Sequence, residues 1–170
     1  MQDRLSGRRE FLSSLPGGSH GSRIGFHEGE LAIYLRLVIA ALAGAAVGWN
    51  RFRAGKSAGV GTHSLVALGS AVFVAIPVLT GAPPGSDGAS RVIQGVAAGI
   101  GFLGAGEIFR GSSTDGWVHG LTSAAALWAT AALGILAVYG SGIAIVAATA
   151  LVLGILYFAP CLEQKWPPKK

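Results

Sequence analysis

Apolar residues run in five blocks along this chain, Leu31 to Trp49, Thr62 to Gly81, Arg91 to Arg110, Gly120 to Val138 and Ile143 to Ala159, and polar residues collect between them. At ~1.5 Å rise per residue, roughly twenty residues cross a hydrocarbon layer of ~30 Å, which is about the length of each block. An unpaired backbone group is costly in that layer, so each block is expected to close its own hydrogen bonds as a helix. The pattern predicts an all-α membrane protein: a bundle of five transmembrane helices spanning 31–160, preceded by a disordered N-terminal tail.

The breaks between blocks carry the topology signals. Residues 1–30 are polar and rich in Gly and Ser, with Arg4, Arg8, Arg9 and Arg23 set against Asp3, Glu10, Glu28 and Glu30. Such a stretch has too little apolar surface to fold and reads as a disordered polar tail. Gly7 to Leu12 looks like a twin-arginine export signal, but Ser13 to Gly25 lacks the apolar run that such a signal needs. The first loop carries Arg51, Arg53 and Lys56, and the third carries Arg110 and Asp115. The second, with Pro83, Pro84 and Asp87, and the tight turn at Tyr139 to Gly142 are nearly free of cations. Pro77 falls near the end of the second block, and Pro160 is expected to stop the fifth, leaving 161–170 as a short basic tail with Lys165, Lys169 and Lys170. By the positive-inside rule the C-terminus is cytoplasmic and the N-terminus outside, an assignment against which the N-terminal arginines argue.

Composition narrows the class further. Only 12% of the 170 residues are charged and 51% are hydrophobic, with mean hydropathy +0.56. Soluble domains carry about 25% charged residues. The net charge of +5 sits at segment ends and in the tails, which suits contact with anionic lipid. Nucleic acid would want a basic face with stacking aromatics, and none is present. The only cysteine, Cys161, excludes an intramolecular disulfide and a cysteine metal cluster. No phosphate loop, zinc motif or nucleophile elbow appears, so no enzyme, cofactor or bound metal is expected.

The third block looks like the centre of the bundle. Gly95, Gly99 and Gly106 share one face of it, with Arg91 at the end, and Gly101 and Gly104 lie on the other side. A helix smooth on two sides is expected to be packed on two sides, because glycine lets helices approach closely. Gly44 and Gly48 form a small-xxx-small pair in the first block. There, Arg36 near the start is read as snorkelling to the interface.

Several polar residues are candidates for a polar or ion site. Glu107 is the one acid placed at or beside the interior of an apolar block, and an intramembrane acid is a functional candidate. Its simpler account is a pair with Arg110 at i, i+3. His63, between Thr62 and Ser64, could titrate or bind a ligand, while the simpler account is a bond to neighbouring backbone. Arg91 and Gln94 open the third block and could greet an anionic headgroup, a partner helix or the interface. Thr122, Ser123 and Thr130 are expected to bond backbone or a facing helix rather than line a pore, and Trp128, mid-span, to fill space against the glycine faces.

Taken together, LRLVIAALAGAAVGWNR with GKSAGVGTHSLVALGSAVF, SRVIQGVAAGIGFLGAGEIFR and GLTSAAALWATAALG resemble the MgtC/SapB family of bacterial inner-membrane proteins, over about Leu35 to Gly134. The resemblance implies five spans, a cytoplasmic C-terminus and a link to magnesium homeostasis. It further implies a regulator acting on other membrane machines, by contact with a membrane partner or in a homo-oligomer, rather than a proven transporter. With about ten residues after Pro160, the chain is similar to the short SapB-like form. Relatives usually have Glu at the position of Asn50 and Arg at that of Gly61. The expectation is that the two form an ion pair, so that Glu at 50 alone destabilises this chain and Arg at 61 rescues it. Glu107 stands where relatives usually have an apolar or hydroxyl residue.

Overall fold

The computed structural model describes residues 23–82, 85–110 and 118–165. The expected tail up to residue 22 lies outside the described residues, as do Pro83, Pro84, Asp115, Lys169 and Lys170. The described chain is all helix: α1 (Arg23–Arg53), α2 (Val60–Leu79), α3 (Asp87–Arg110), α4 (Leu121–Tyr139) and α5 (Gly142–Lys165). Among the described residues, four stretches are long and apolar enough to cross a membrane: Leu31–Arg53, Val60–Leu79, Leu121–Tyr139 and Gly142–Leu162.

Three boundaries differ from the sequence expectation. Residues 23–30, assigned to the tail, are helical and continuous with the first span. α5 does not stop at Pro160 but carries it inside and runs on to Lys165. Proline removes one backbone donor, which a membrane helix tolerates where local adjustments re-satisfy the freed groups. The third difference is α3, the stretch expected to anchor the bundle. It begins at Asp87 rather than Arg91, and it is long enough to span but is not among the four stretches found within the described residues.

The bundle centre is α4. Half of its spanning window is buried, against a third for α2 and about a tenth for α5. Its buried residues, Ser123, Ala126, Leu127, Thr130, Ala131, Leu133, Gly134, Ala137 and Val138, recur at helical spacing and are mostly small. Small residues allow backbones to approach closely. A Cβ built on Gly134 would overlap the Ala67 carbonyl, so α2 and α4 touch backbone to backbone. Seven residues further along α2, Val74 O accepts a hydrogen bond from Tyr139 Oη (3.2 Å). The pairs advance in the same direction on both helices, so α2 and α4 run parallel.

Outside and inside are inverted relative to a soluble protein. The interior is Ala-, Ser- and Thr-rich, whereas Leu42, Phe73, Phe102, Ile143 and Ile155 stand on the outer surface. α3 packs on α4 and α2, and Gly120, just before α4, lies against the backbone of Glu107 and Ile108 near the end of α3. Its φ is +89°, and a Cβ there would lie 2.6 Å from the Glu107 carbonyl oxygen. Only glycine accepts both conditions.

Candidate functional site

The chemistry-bearing residues gather at the end of the bundle where α1 turns into α2. α1 closes with backbone bonds from Ala54 N to Asn50 O (3.1 Å), Gly55 N to Phe52 O (3.0 Å) and Lys56 N to Arg51 O (3.0 Å). This turn brings Ser57 and Ala58 across to the end of α3. Ser57 Oγ lies 2.5 and 2.8 Å from the two carboxylate oxygens of Glu107, and Ala58 N donates to Oε1 (3.2 Å). The carboxylate therefore ties α3 to the α1–α2 turn. The side chain of Arg110, the partner expected from sequence, lies outside the described ones. Glu107, Ser57, Ala58, Thr62, Gly106 and Leu127 help line an open cavity of about 580 Å³.

Beside this latch are two buried polar side chains. Arg51 is 4% exposed, and its Nε and Nη2 donate to Asn50 Oδ1 at 3.1 and 2.6 Å. Asn50, where the family resemblance implies a carboxylate, thus already holds the acceptor of a buried guanidinium, while Gly61 faces open space. His63 is fully buried, with Nδ1 3.1 Å from Gly59 O, and its Nε2 has no hydrogen-bond partner among the described residues. Leaving a buried polar atom unpaired costs roughly 1–3 kcal/mol.

The other candidates do not converge here. Arg91 and Gln94 are exposed at the opposite end of α3, roughly 20 Å away by helical rise. Thr62 and Thr122 are exposed near the turn end. Trp128 does not fill space against the glycine faces: it is 56% exposed on the bundle exterior, in the wall of a groove with Ile93, Val96 and Ala97. Thr130 is buried and donates to Ala126 O (2.7 Å).

The glycines divide sharply. Gly44 abuts the His63 carbonyl and Gly48 the α2 start, where a Cβ would lie 2.6 Å from Val60 Cα. Gly104 has ordinary contact with Ala124 (3.5 Å). Gly95, Gly99, Gly101 and Gly106 have nothing within 4 Å of an added Cβ. Contrary to the sequence reading, the face of α3 that carries Gly95, Gly99 and Gly106 is not packed against another described helix, although α3 meets α4 and α2 elsewhere. A groove of about 820 Å³ runs along this open surface between α2 and α3, past Gly69, Gly95 and Gly99.

Two functional contacts escaped sequence reasoning. Arg36 has partners that the interfacial reading did not name. Its Nη1 donates to the carbonyls of Ala137 (3.1 Å), Val138 and Gly140 (3.1 Å), closing the C-terminal end of α4. A cation there meets unsatisfied carbonyls and the negative end of the helix dipole. An arginine several residues inside an apolar block was the available signal, because it must find a partner. Gly134 carried no signal beyond being one of 27 glycines.

A bundle of apolar helices with small residues inside and large apolar ones outside is an integral membrane protein. Its sequence places it more closely. The chain belongs to the MgtC family, whose model matches residues 37–165. It is 46% identical over 121 residues to Protein SrpB of Synechococcus elongatus, covering 66% of this chain and 65% of that one. It is 41% identical over 114 residues to the putative magnesium transporter YhiD of Escherichia coli K12, covering 64% of this chain and 50% of that one. Against Protein MgtC of Salmonella typhimurium LT2 it is 40% identical over 119 residues, covering 70% of this chain and 48% of that one. The chain thus spans between about half and two thirds of the length of these relatives. No solved structure matches it.

Proposed function

We propose that this protein is a non-enzymatic regulatory or accessory protein of the bacterial inner membrane, linked to magnesium homeostasis, that acts by helix–helix contact with membrane partners. In this reading α3 crosses the membrane as a fifth span and the C-terminus is cytoplasmic. The observation that carries the reading is the open surface of α3. Gly95, Gly99 and Gly106, which share one face, have room for a side chain, yet each is glycine, at a propensity cost of about 1 kcal/mol apiece relative to Ala. A lipid-facing surface has no need of that, whereas a helix approaching from outside does.

The alternative is a magnesium or other cation channel, formed as an oligomer, with Glu107, His63 and Thr122 near the path. The name of the Escherichia coli relative points that way. Against it, both carboxylate oxygens of Glu107 already accept hydrogen bonds from the α1–α2 turn. A divalent ion wants six or more oxygen ligands and would have to break those bonds first.

Two measurements separate the readings. Magnesium flux into proteoliposomes is expected to equal that of empty vesicles. Growth of a family-deficient bacterium in low magnesium, restored by this protein, is expected to be lost with Gly95→Leu plus Gly99→Leu while the protein still inserts and folds. Flux that collapses in Glu107→Gln would establish the channel instead.

A further inference from the structure

His63 is a fully buried imidazole with one nitrogen used and one bare. The carbonyl of Gly59 can only accept, so the 3.1 Å contact assigns the hydrogen to Nδ1. Nε2 of the neutral ring is then a lone pair. Burial opposes a charge on such a ring, so a proton is taken at the second nitrogen most easily when the packing around it opens. The described residues hold no group of three or more His, Cys, Asp or Glu that would make it part of a metal site.

The surroundings can be named element by element. α1 contributes the buried guanidinium of Arg51, and α3 contributes the carboxylate of Glu107. Arg53 and Lys56 lie exposed on the turn. α4 contributes hydroxyls and no titratable group before Tyr139 at its far end. Because α2 and α4 run parallel and meet at Ala67 and Gly134, one turn back brings His63 level with Thr130. Thr130 gives its hydroxyl hydrogen to Ala126 O and keeps lone pairs that can accept.

The ring also sits at a contact without slack. The His63 carbonyl is where a Cβ on Gly44 would fall, so α1 rests directly on this turn of α2. A second positive charge here would be pushed away from Arg51 on α1 and drawn toward Glu107 on α3. We propose that His63 Nε2 is a proton-binding site whose occupancy is read by the α1–α2 crossing. The proton comes from solvent water, the neutral imidazole becomes imidazolium, and no other bond is made or broken. Acidification then loosens the turn end of α1 against α2.

The test uses the full chain, labelled with 15N-histidine, in lipid nanodiscs. Nε2 of His63 is followed by NMR between about pH 8 and pH 5, the range in which histidine ordinarily changes charge. His63→Asn, which keeps an N–H for Gly59 O, assigns the signal; if that variant fails to fold, substituting each of the other three histidines assigns it by elimination. The expected result is a move of Nε2 from the lone-pair to the N–H range, with amide exchange at Gly59 to Ala67 rising several-fold over the same interval. Nε2 remaining bare throughout, or carrying hydrogen throughout, would overturn the proposal. So would protonation that leaves exchange unchanged.

Discussion

The seam where α1 and α4 meet α2 and the outer side of α3 are both built on glycine, and the same residue does opposite things in them. In the seam, Gly44, Gly48 and Gly134 each replace a side chain that would collide with the backbone of α2. On α3, Gly95 and Gly99 replace side chains that would meet nothing. Glycine density therefore marks surfaces where a helix can come close, and only the position of the neighbouring helix says whether one has done so. In this chain the seam is filled by its own helices, and we assign the α3 surface to a partner.

Identical substitutions on the two surfaces test that contrast most strongly. Gly134→Ala puts a methyl group into the Ala67 carbonyl, and thermal unfolding in detergent is expected to show a loss of about 3 kcal/mol, at the upper end of overpacking costs. A stability unchanged from the parent would mean that the seam is looser than its backbone contacts require. The next largest effect is expected at the far end of the seam. Arg36→Leu removes the donor shared by the carbonyls of Ala137, Val138 and Gly140, for a loss of about 2 kcal/mol in the same assay.

At the turn end, the structure changes the sign expected for Asn50→Glu. Asn50 Oδ1 already accepts from Arg51, so a carboxylate at 50 finds a cation without any arginine at 61. The variant alone is expected to gain up to about 1 kcal/mol, and adding Gly61→Arg should bring no further coupling energy in a double-mutant cycle. A loss that Gly61→Arg repairs would restore the pairing suggested by the family resemblance. The smallest effect is expected on the open surface. Gly99→Ala should raise the unfolding midpoint by the equivalent of no more than about 1 kcal/mol, from helix propensity. If it destabilised the isolated protein as Gly134→Ala does, the contrast between the surfaces would fail.

Much of the architecture could be read from the chain, and much of the site could not. The glycine pair Gly44 and Gly48 was readable because a four-residue spacing of small residues is a local pattern. Gly134 was not, because its role depends on Ala67, which is 67 residues away in the chain. Glu107 stood out as an acid among apolar neighbours, but its partner Ser57 is 50 residues distant and looks like any loop serine. Arg36 was read as an interfacial residue because its acceptors are backbone carbonyls, which every residue has. The placing of α3 at the centre failed for a related reason: its smooth faces were visible, but that α4 and α2 meet it away from Gly95 and Gly99 was not.

By itself the sequence determined that this is a helical membrane protein of the MgtC family, roughly where its helices lie and which residues bear charge among them. These follow from hydropathy, length and local spacing, which are sums over neighbouring residues. Only the tertiary structure decided that α4 is the centre, that Arg36 closes it, that Glu107 latches to the α1–α2 turn and that His63 is buried with a bare nitrogen. Each of these depends on which backbone lies against which. Small residues and hydrogen-bond donors permit many such pairings, and the packing of the whole bundle selects one.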